Sequence, residues 1–370
     1  MKKVIGIYCG AMTYNGTHWD SDVVRSEGCG GSETWTVEIS SQFNKMGFHV
    51  IVFCNCAVWH FDGEGVEYVP YYLFKSRCGY QKFDYFISSR LVDGIIDELE
   101  CDNIYIMTHE RGLFEGYWGN FAPFEKIDLN RVKKIAVLSE WNKEELKKFY
   151  PELPDDRIFI TFNGITSDLY ENVDEYEKKN YMLWSTCLNR GMTFFGKYVI
   201  NKIKAAVPDF ELGICSYNLD IRGEVPEADW IHFLGTMRKK EMSELQKQAK
   251  IWILPNYGFN DFGETLQESC PLTAIENMFA KNAIICYDKG GTKSVLSGYT
   301  GMLDGSYISA TVCPSEDELD KIGTEIAEQA IKLLRDDAYR RSLVRELSHI
   351  CKKYTWENSA TTWLKEWIMV

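Results

Sequence analysis

Short apolar runs alternate with amphipathic stretches along almost the whole chain. Val4–Tyr8 reads as a strand, and residues 32–46 read as a helix with Trp35, Ile39 and Phe43 at four-residue spacing on one face. Ser32 stands in the N-cap region of that helix, Glu33 falls in its first turn, and Gly47 closes it. His49–Cys54 is the next strand, so the chain opens on a strand–loop–helix–strand unit. Residues 83–87, 104–108 and 135–138 predict further strands. Ser139 and Glu140 open a helix running to Phe149, with Glu144 and Lys148 spaced for a favourable i,i+4 pair. Pro151 and Pro154 interrupt the chain, residues 157–162 predict a short strand, and Asn163-Gly164 marks a turn.

Residues 166–179 are polar and acidic, as in a linker. The pattern then resumes. Strands at 181–185, Glu211–Cys215, 230–234, 251–254 and 283–286 are interleaved with helices at 194–206, Lys239–Gln248, 272–280 and 317–334. Strands alternating with helices imply parallel sheets with right-handed crossovers. Two such series predict an α/β protein of two doubly wound domains, 1–165 and 166–354. Residues 339–370 read as helical and carry Trp356, Trp363 and Trp367. The stretch 355–370 is expected to pack back on the first domain.

Composition narrows the function. A chain of 370 residues suits two domains of the usual size and buries its cores without staples. The formal net charge of −13 disfavours a nucleic-acid binder, whose footprint is basic, and leaves at most peripheral membrane contact. The 12 cysteines include one C-x-C, Cys54 and Cys56, and no C-x-x-C. Such spacings suggest neither a disulfide framework nor zinc, so the cysteines read as buried thiols of a cytoplasmic protein. Met1-Lys2-Lys3 precedes an apolar stretch that is short and contains Gly6 and Gly10, which reads as a first strand rather than a signal peptide. No apolar run reaches the roughly 18 residues that a membrane-spanning helix needs.

Four places carry candidate chemistry. The loop Gly28-Cys29-Gly30-Gly31 leads into the first long helix, where glycine lets backbone N–H groups approach a phosphate or hydroxyl. The dinucleotide fingerprint G-x-G-x-x-G fails at Glu33, and the same glycines also serve an ordinary tight turn. His109-Glu110 follows the strand at 104–108, at the kind of strand end that faces a ligand crevice in open α/β sheets, though a structural histidine fits the position too. Arg190-Gly191 follows the first strand of the second series, where a guanidinium can meet phosphate bidentately or simply face solvent. Glu268 precedes a helix, and Glu276, eight residues on, falls about two turns into it, with the Leu272 and Thr273 amides between them. That spacing suits a ligand with hydroxyls at each end and a diphosphate in the middle, and it also occurs in ordinary surface pairs.

Together these segments resemble retaining glycosyltransferase family 4, the "group 1" transferases of GT-B fold. Gly30-Gly31-Ser32-Glu33 and the later stretch from Lys45 to Val50 resemble the family's GGSE loop, first helix and second strand. Thr108-His109-Glu110 resembles its N-domain histidine segment, and the run from Ile135 to Glu140, continuing to Arg157-Ile158 and Asn163-Gly164-Ile165, its inter-domain passage. Ser185 with Arg190-Gly191-Met192 is similar to the members carrying S…RGL. Phe233-Leu234-Gly235, Pro255 and the segment from Glu268 to Glu276 follow in the family's order and spacing. The resemblance covers roughly residues 4–300 and implies two Rossmann-like domains facing across a cleft.

It also implies roles. Glu276 would hold the nucleotide's ribose, Glu268 the hydroxyls of the transferred sugar, and Arg190 the leaving diphosphate. The Gly30 and Gly31 amides would lie near the distal phosphate, His109 near the donor sugar or the reacting region, and the Leu272 and Thr273 amides on sugar or phosphate. The donor would be a UDP- or GDP-sugar, the acceptor a glycan, a lipid-linked glycan or a small molecule, and neither cofactor nor metal is expected. Two departures stand out. Ser269-Cys270-Pro271 replaces the family's Gly-Phe-Gly, and Pro271 has no N–H to donate. No basic residue lies near Ser185, which leaves Lys197 as the expected helper of Arg190. The rival readings are another sugar-nucleotide enzyme of the same fold, such as an epimerase, and a non-catalytic sugar-nucleotide-binding protein.

Overall fold

Val4–Tyr8 (β1) lies at the centre of an eight-stranded sheet in the computed structural model, which describes residues 2–12, 16–27, 29–116, 120–188, 190–216, 225, 227–255, 268–306 and 314–368. Gly28 and the last two residues of the expected C-terminal helix fall outside the described residues. After β1 come α1 (Ser21–Ser26), α2 (Gly31–Lys45), β2 (His49–Cys54), β3 (His60–Phe61), β4 (Glu67–Pro70), α3 (Phe74–Cys78), β5 (Tyr85–Ser89), β6 (Ile104–Met107), β7 (Val132–Val137), α4 (Glu140–Phe149) and β8 (Ile158–Ile160). The sheet order is β3-β4-β2-β1-β5-β6-β7-β8. All its pairings are parallel except that of β3 with β4. Its strands read as near-continuous apolar runs because a parallel sheet is covered on both faces.

Trp35, Ile39 and Phe43 of α2 are fully buried, as their spacing predicts. Three local readings need correction. Ser32 does not cap α2, because the helix begins at Gly31 with Gly30 as N-cap and no side-chain bond there. Lys148 pairs with Glu145 at 2.5 Å rather than with Glu144, since the partly buried Glu145 carboxylate also faces Arg111 at 3.5 Å. Residues 166–179 are exposed along much of their length, as a polar linker is, but they are not irregular. They form two 3-10 turns, Ser167–Tyr170 and Val173–Glu175, which bury Tyr170 and Val173.

The chain divides into two compact units, Met1–Gly164 with Tyr354–Val370, and Ile165–Lys353. The second contains β9 (Tyr181–Trp184), α5 (Met192–Tyr198), α6 (Ile200–Ala206), β10 (Glu211–Cys215), β11 (Ile231–Gly235), α7 (Lys239–Gln248), β12 (Ile251–Ile253), α8 (Leu272–Phe279), β13 (Ala283–Ile285), α9 (Gly290–Val295), α10 (Glu316–Arg335) and α11 (Asp337–Ile350). Parallel strands run β11-β10-β9 and β12-β13. Backbone bonds from Lys179 to Gln248 (2.8 Å) and from Lys250 to Tyr181 (3.2 Å) link β9 to β12.

The single helix expected at 194–206 is divided at Val199, whose φ of −117° is distorted from helical ideality while the residue stays in the right-handed region. The cause is close packing. Gly323 of α10 approaches the chain so nearly that a Cβ there would lie 2.7 Å from the Tyr198 carbonyl oxygen. The final helix, α12 (Trp356–Ile368), belongs to the first unit and packs on α2. Trp363 and Trp367 lie among Trp35, Phe43, Tyr85, Tyr105 and Phe159.

Candidate active site

In the second unit, β9 delivers the chain to a loop carrying Ser185 and Arg190. Gly191 adopts φ +101°, a left-handed conformation that favours glycine, and serves as N-cap of α5. The Arg190 guanidinium meets Glu268 at 3.2 Å, Nη1 to Oε1, with each side chain about a third exposed (38% and 30%). Glu268 is held through its backbone. Its carbonyl accepts from the Gly291 N–H at 2.8 Å. A Cβ on Gly291 would fall 1.9 Å from the Ser269 oxygen, so only glycine lets this loop rest on the start of α9.

Immediately after buried Cys270 and Pro271, α8 begins. The first intrahelical bonds are made by the Ala274 and Ile275 amides, both to the Pro271 carbonyl. The Leu272 and Thr273 amides therefore lie in the turn where a helix leaves its donors unmatched and its dipole favours negative charge. No acidic residue occupies that first turn. Glu276 sits in the second turn of α8, which opens at Leu272 as expected.

Glu276 is half-buried, and burial raises its pKa above the ordinary carboxylate value against the opposing influence of Lys239 and Gln246. Gln246 Nε2 donates to Glu276 Oε2 at 3.2 Å, and the Tyr170 hydroxyl donates to Gln246 Oε1 at 2.6 Å. The carboxylate is thus fixed by a chain of two hydrogen bonds. It has about four acceptor positions, and the glutamine takes one of them. Among the described residues Gln246 is its one hydrogen-bond donor.

Lys197, the expected helper of Arg190, is placed otherwise. Its ammonium contacts both Glu316 oxygens at 2.9 Å and lies 4.9 Å from the Tyr198 ring centre. This exposed lysine serves the α5–α10 surface.

In the first unit, α2 opens at Gly30 and Gly31. The Glu33 side chain folds back so far that a Cβ on Gly30 would lie 2.5 Å from its Oε2, and the Ser32 hydroxyl donates to the same oxygen at 3.0 Å. Facing them is Arg90, just past β5, with its backbone at φ +70°. Its N–H donates to the Met107 carbonyl at 2.7 Å, and its own carbonyl accepts from Phe114 at 2.8 Å. The guanidinium reaches Ser32 Oγ at 2.8 Å, Glu110 Oε1 at 2.6 Å and Glu33 Oε1 at 3.8 Å.

His109 stands beside this group, at the end of β6. Its ring meets Trp35 edge-on, with centroids 5.4 Å apart. Nε2 is buried and has no hydrogen-bond partner among the described residues. Burial, and after it the Arg90 charge, hold the imidazole pKa well below its usual value, so the ring is neutral. The segment is braced by Thr108 Oγ1 donating to Gly112 (2.9 Å) and by Asn142 Nδ2 donating to the Glu110 carbonyl (2.8 Å). A buried, unmatched ring nitrogen carries a cost that a ligand's hydrogen bond would remove.

The structure therefore gathers Gly30, Gly31 and His109 in one cluster, and Arg190, Glu268, Leu272, Thr273 and Glu276 in the other. Sequence reasoning missed Arg90, the Gln246–Tyr170 brace and Gly291; Ser185, named there within its motif, has a buried Oγ without a partner among the described residues. Arg90 had one signal: a lone charge directly after the strand that ends in Ser88-Ser89.

No family model matches the sequence, and no curated protein matches it. Solved structures do. Sucrose-phosphate synthase from Thermosynechococcus elongatus aligns over 100% of this chain and 99% of its own, with a TM-score of 0.72 and 14% identity. WaaG, a glycosyltransferase involved in lipopolysaccharide biosynthesis, aligns over 98% and 99%, with a TM-score of 0.63 and 14% identity. Anabaena HepE, solved in complex with UDP and glucose, aligns over all of both chains with a TM-score of 0.65 and 10% identity. The chain has the GT-B fold of these α/β proteins. Among the described residues no helix is long and apolar enough to cross a membrane.

Proposed function

We propose that the chain is a retaining glycosyltransferase that moves a sugar from a UDP- or GDP-sugar to a glycan, lipid-linked glycan or small-molecule acceptor. The observation that carries this reading is the arrangement on α8. A half-buried carboxylate short of donors, Glu276, and an Arg190–Glu268 ion pair stand with a helix start free of acidic residues. Hydroxyls suit the two carboxylates, and a diphosphate suits the amides and the guanidinium. The structural likeness to HepE, a protein solved with UDP and glucose, supports the same class of donor.

In this reading Glu276 binds the ribose hydroxyls and Glu268 those of the transferred sugar. Arg190 exchanges part of its contact with Glu268 for the diphosphate. The Leu272 and Thr273 amides reach sugar or phosphate, the Gly30 and Gly31 amides approach the distal phosphate, and neutral His109 hydrogen-bonds the sugar through Nε2. The bond from the anomeric carbon to the diphosphate breaks as the acceptor oxygen bonds to that carbon on the same face. The acceptor's proton passes to the departing diphosphate oxygen. The protein's part is to position the reactants and stabilise the diphosphate charge. Pro271 contributes no N–H to the sugar-facing turn, so the sugar is bound there with fewer backbone donors.

A thermal-shift screen of UDP, GDP and their sugars, on the full chain and on Arg190→Ala, tests the reading. One nucleotide class stabilises the protein. Arg190→Ala keeps its fold but loses on the order of tenfold to a hundredfold in turnover, the worth of a charge-assisted bond of roughly 1.5–3 kcal/mol. Stabilisation by neither nucleotide class, or unchanged turnover in the variant, contradicts the assignment.

A further inference from the structure

We propose that Arg90 is a positioning residue that clamps the Gly30–Gly31 loop to the His109–Glu110 segment and cancels the Glu33 carboxylate at the start of α2, so that the loop accepts a ligand phosphate. The loop's use for phosphate rests on the function proposed above; the clamp itself does not.

The geometry is that of a fork between two elements far apart in sequence. One arm of the guanidinium holds Ser32 in the first turn of α2, and the other holds Glu110 beyond β6, at 2.8 and 2.6 Å. The side chain is only 8% exposed, so the contacts are shielded from competing water. A non-glycine residue at φ +70° is strained, and here its backbone is pinned on both sides by bonds to Met107 and Phe114. The fold thus holds Arg90 in this place against its own backbone preference.

Electrostatics explain why an arginine is needed. Glu33 lies in the first helical turn with its carboxylate folded against Gly30. An uncompensated carboxylate there would repel any phosphate approaching the glycine amides. Arg90 Nη1 lies 3.8 Å from that carboxylate and supplies the opposing charge, while Glu110 fixes the guanidinium's other edge. The same cation stands close enough to His109 to disfavour its imidazolium form. One side chain therefore links the two segments, offsets the loop's carboxylate and adds to burial in holding the neighbouring histidine neutral. Lysine keeps the charge but cannot bridge two elements with a planar fork.

The test compares the full chain with Arg90→Gln, Arg90→Lys and the milder Glu110→Gln, whose side chain is partly exposed. Two readouts need no substrate: NMR titration of His109, and hydrogen exchange at the Thr34 amide, which donates to the Gly30 carbonyl. We expect His109 to titrate at higher pH in Arg90→Gln and near the native position in Arg90→Lys. Thr34 should exchange faster in Arg90→Gln and in Glu110→Gln. With whichever UDP- or GDP-sugar the native chain turns over, kcat in Arg90→Gln should fall about tenfold or more, and affinity for the free UDP or GDP should weaken with the loss of the loop's phosphate contact. Unchanged His109 titration and Thr34 exchange in folded Arg90→Gln would overturn the proposal. Should that variant not fold, unchanged Thr34 exchange in Glu110→Gln would do so. A native chain that turns over no sugar nucleotide would refute the transferase reading separately, leaving the two substrate-free readouts to decide the clamp.

Discussion

Glu276 is a carboxylate whose surroundings work against its charge. Burial raises its pKa, so the folded chain holds this proton more tightly than the unfolded chain does. Stability attached to the group is therefore lost as pH rises from the ordinary carboxylate value through the raised folded one. Glu276→Gln should raise the melting temperature of the ligand-free protein at pH 7, with the gain shrinking toward pH 4. The same variant should bind UDP or GDP at least about tenfold more weakly, since a charge-assisted bond to a hydroxyl is worth roughly 1.5–3 kcal/mol. Thermal melts across pH and calorimetry with both nucleotides check the two halves. A variant less stable than the native chain at pH 7 would show that the carboxylate is satisfied within the protein. Spacing in the sequence singled out Glu268 and Glu276 but said nothing of the Gln246–Tyr170 brace, because those partners arrive from α7 and a 3-10 turn through folding.

At the scale of elements, the loop before α8 depends on one glycine. Gly291→Ala would push a Cβ to 1.9 Å from the Ser269 carbonyl oxygen and 2.4 Å from that of Glu268, so the loop must move. The expected cost is about 1–3 kcal/mol of stability, as for an overpacked site. The displaced Glu268 should weaken an intact sugar nucleotide more than the matching free diphosphate. Denaturant melts and paired calorimetric titrations measure both, and equal losses for the two ligands would remove Glu268 from the sugar. The pattern of strands and long helices was legible because unbroken apolar runs and period-3.6 burial are local properties. It marked α2, α7 and α10 within a residue or two. It missed α1, β3, β4 and α3, which are short and lie in segments mixing aromatic, acidic and glycine residues. The division at Val199 was equally hidden, since the chain that packs there, at Gly323, is far away in sequence.

At the scale of the whole molecule, residues from the chain's end complete the core of its first unit. Thr161 Oγ1 and Ser359 Oγ lie 3.2 Å apart, and a Cβ on Gly164 would meet the Trp356 nitrogen at 2.3 Å. Trp363 is fully buried against Trp35, Tyr105 and Phe159. Trp363→Ala should cost roughly 3–5 kcal/mol through the cavity it leaves, a loss readable by denaturant melts; a change below 1 kcal/mol would mean that α12 is only loosely attached. The central claim, glycosyl transfer from a nucleotide sugar, is tested most directly by mass spectrometry. The native chain and Glu276→Ala are incubated with a panel of UDP- and GDP-sugars and candidate acceptors. The account predicts that one donor yields free nucleoside diphosphate together with an acceptor heavier by one sugar residue, and that Glu276→Ala yields far less of both. A donor that is bound but returned intact, or returned only as an isomer of the same mass, would contradict it.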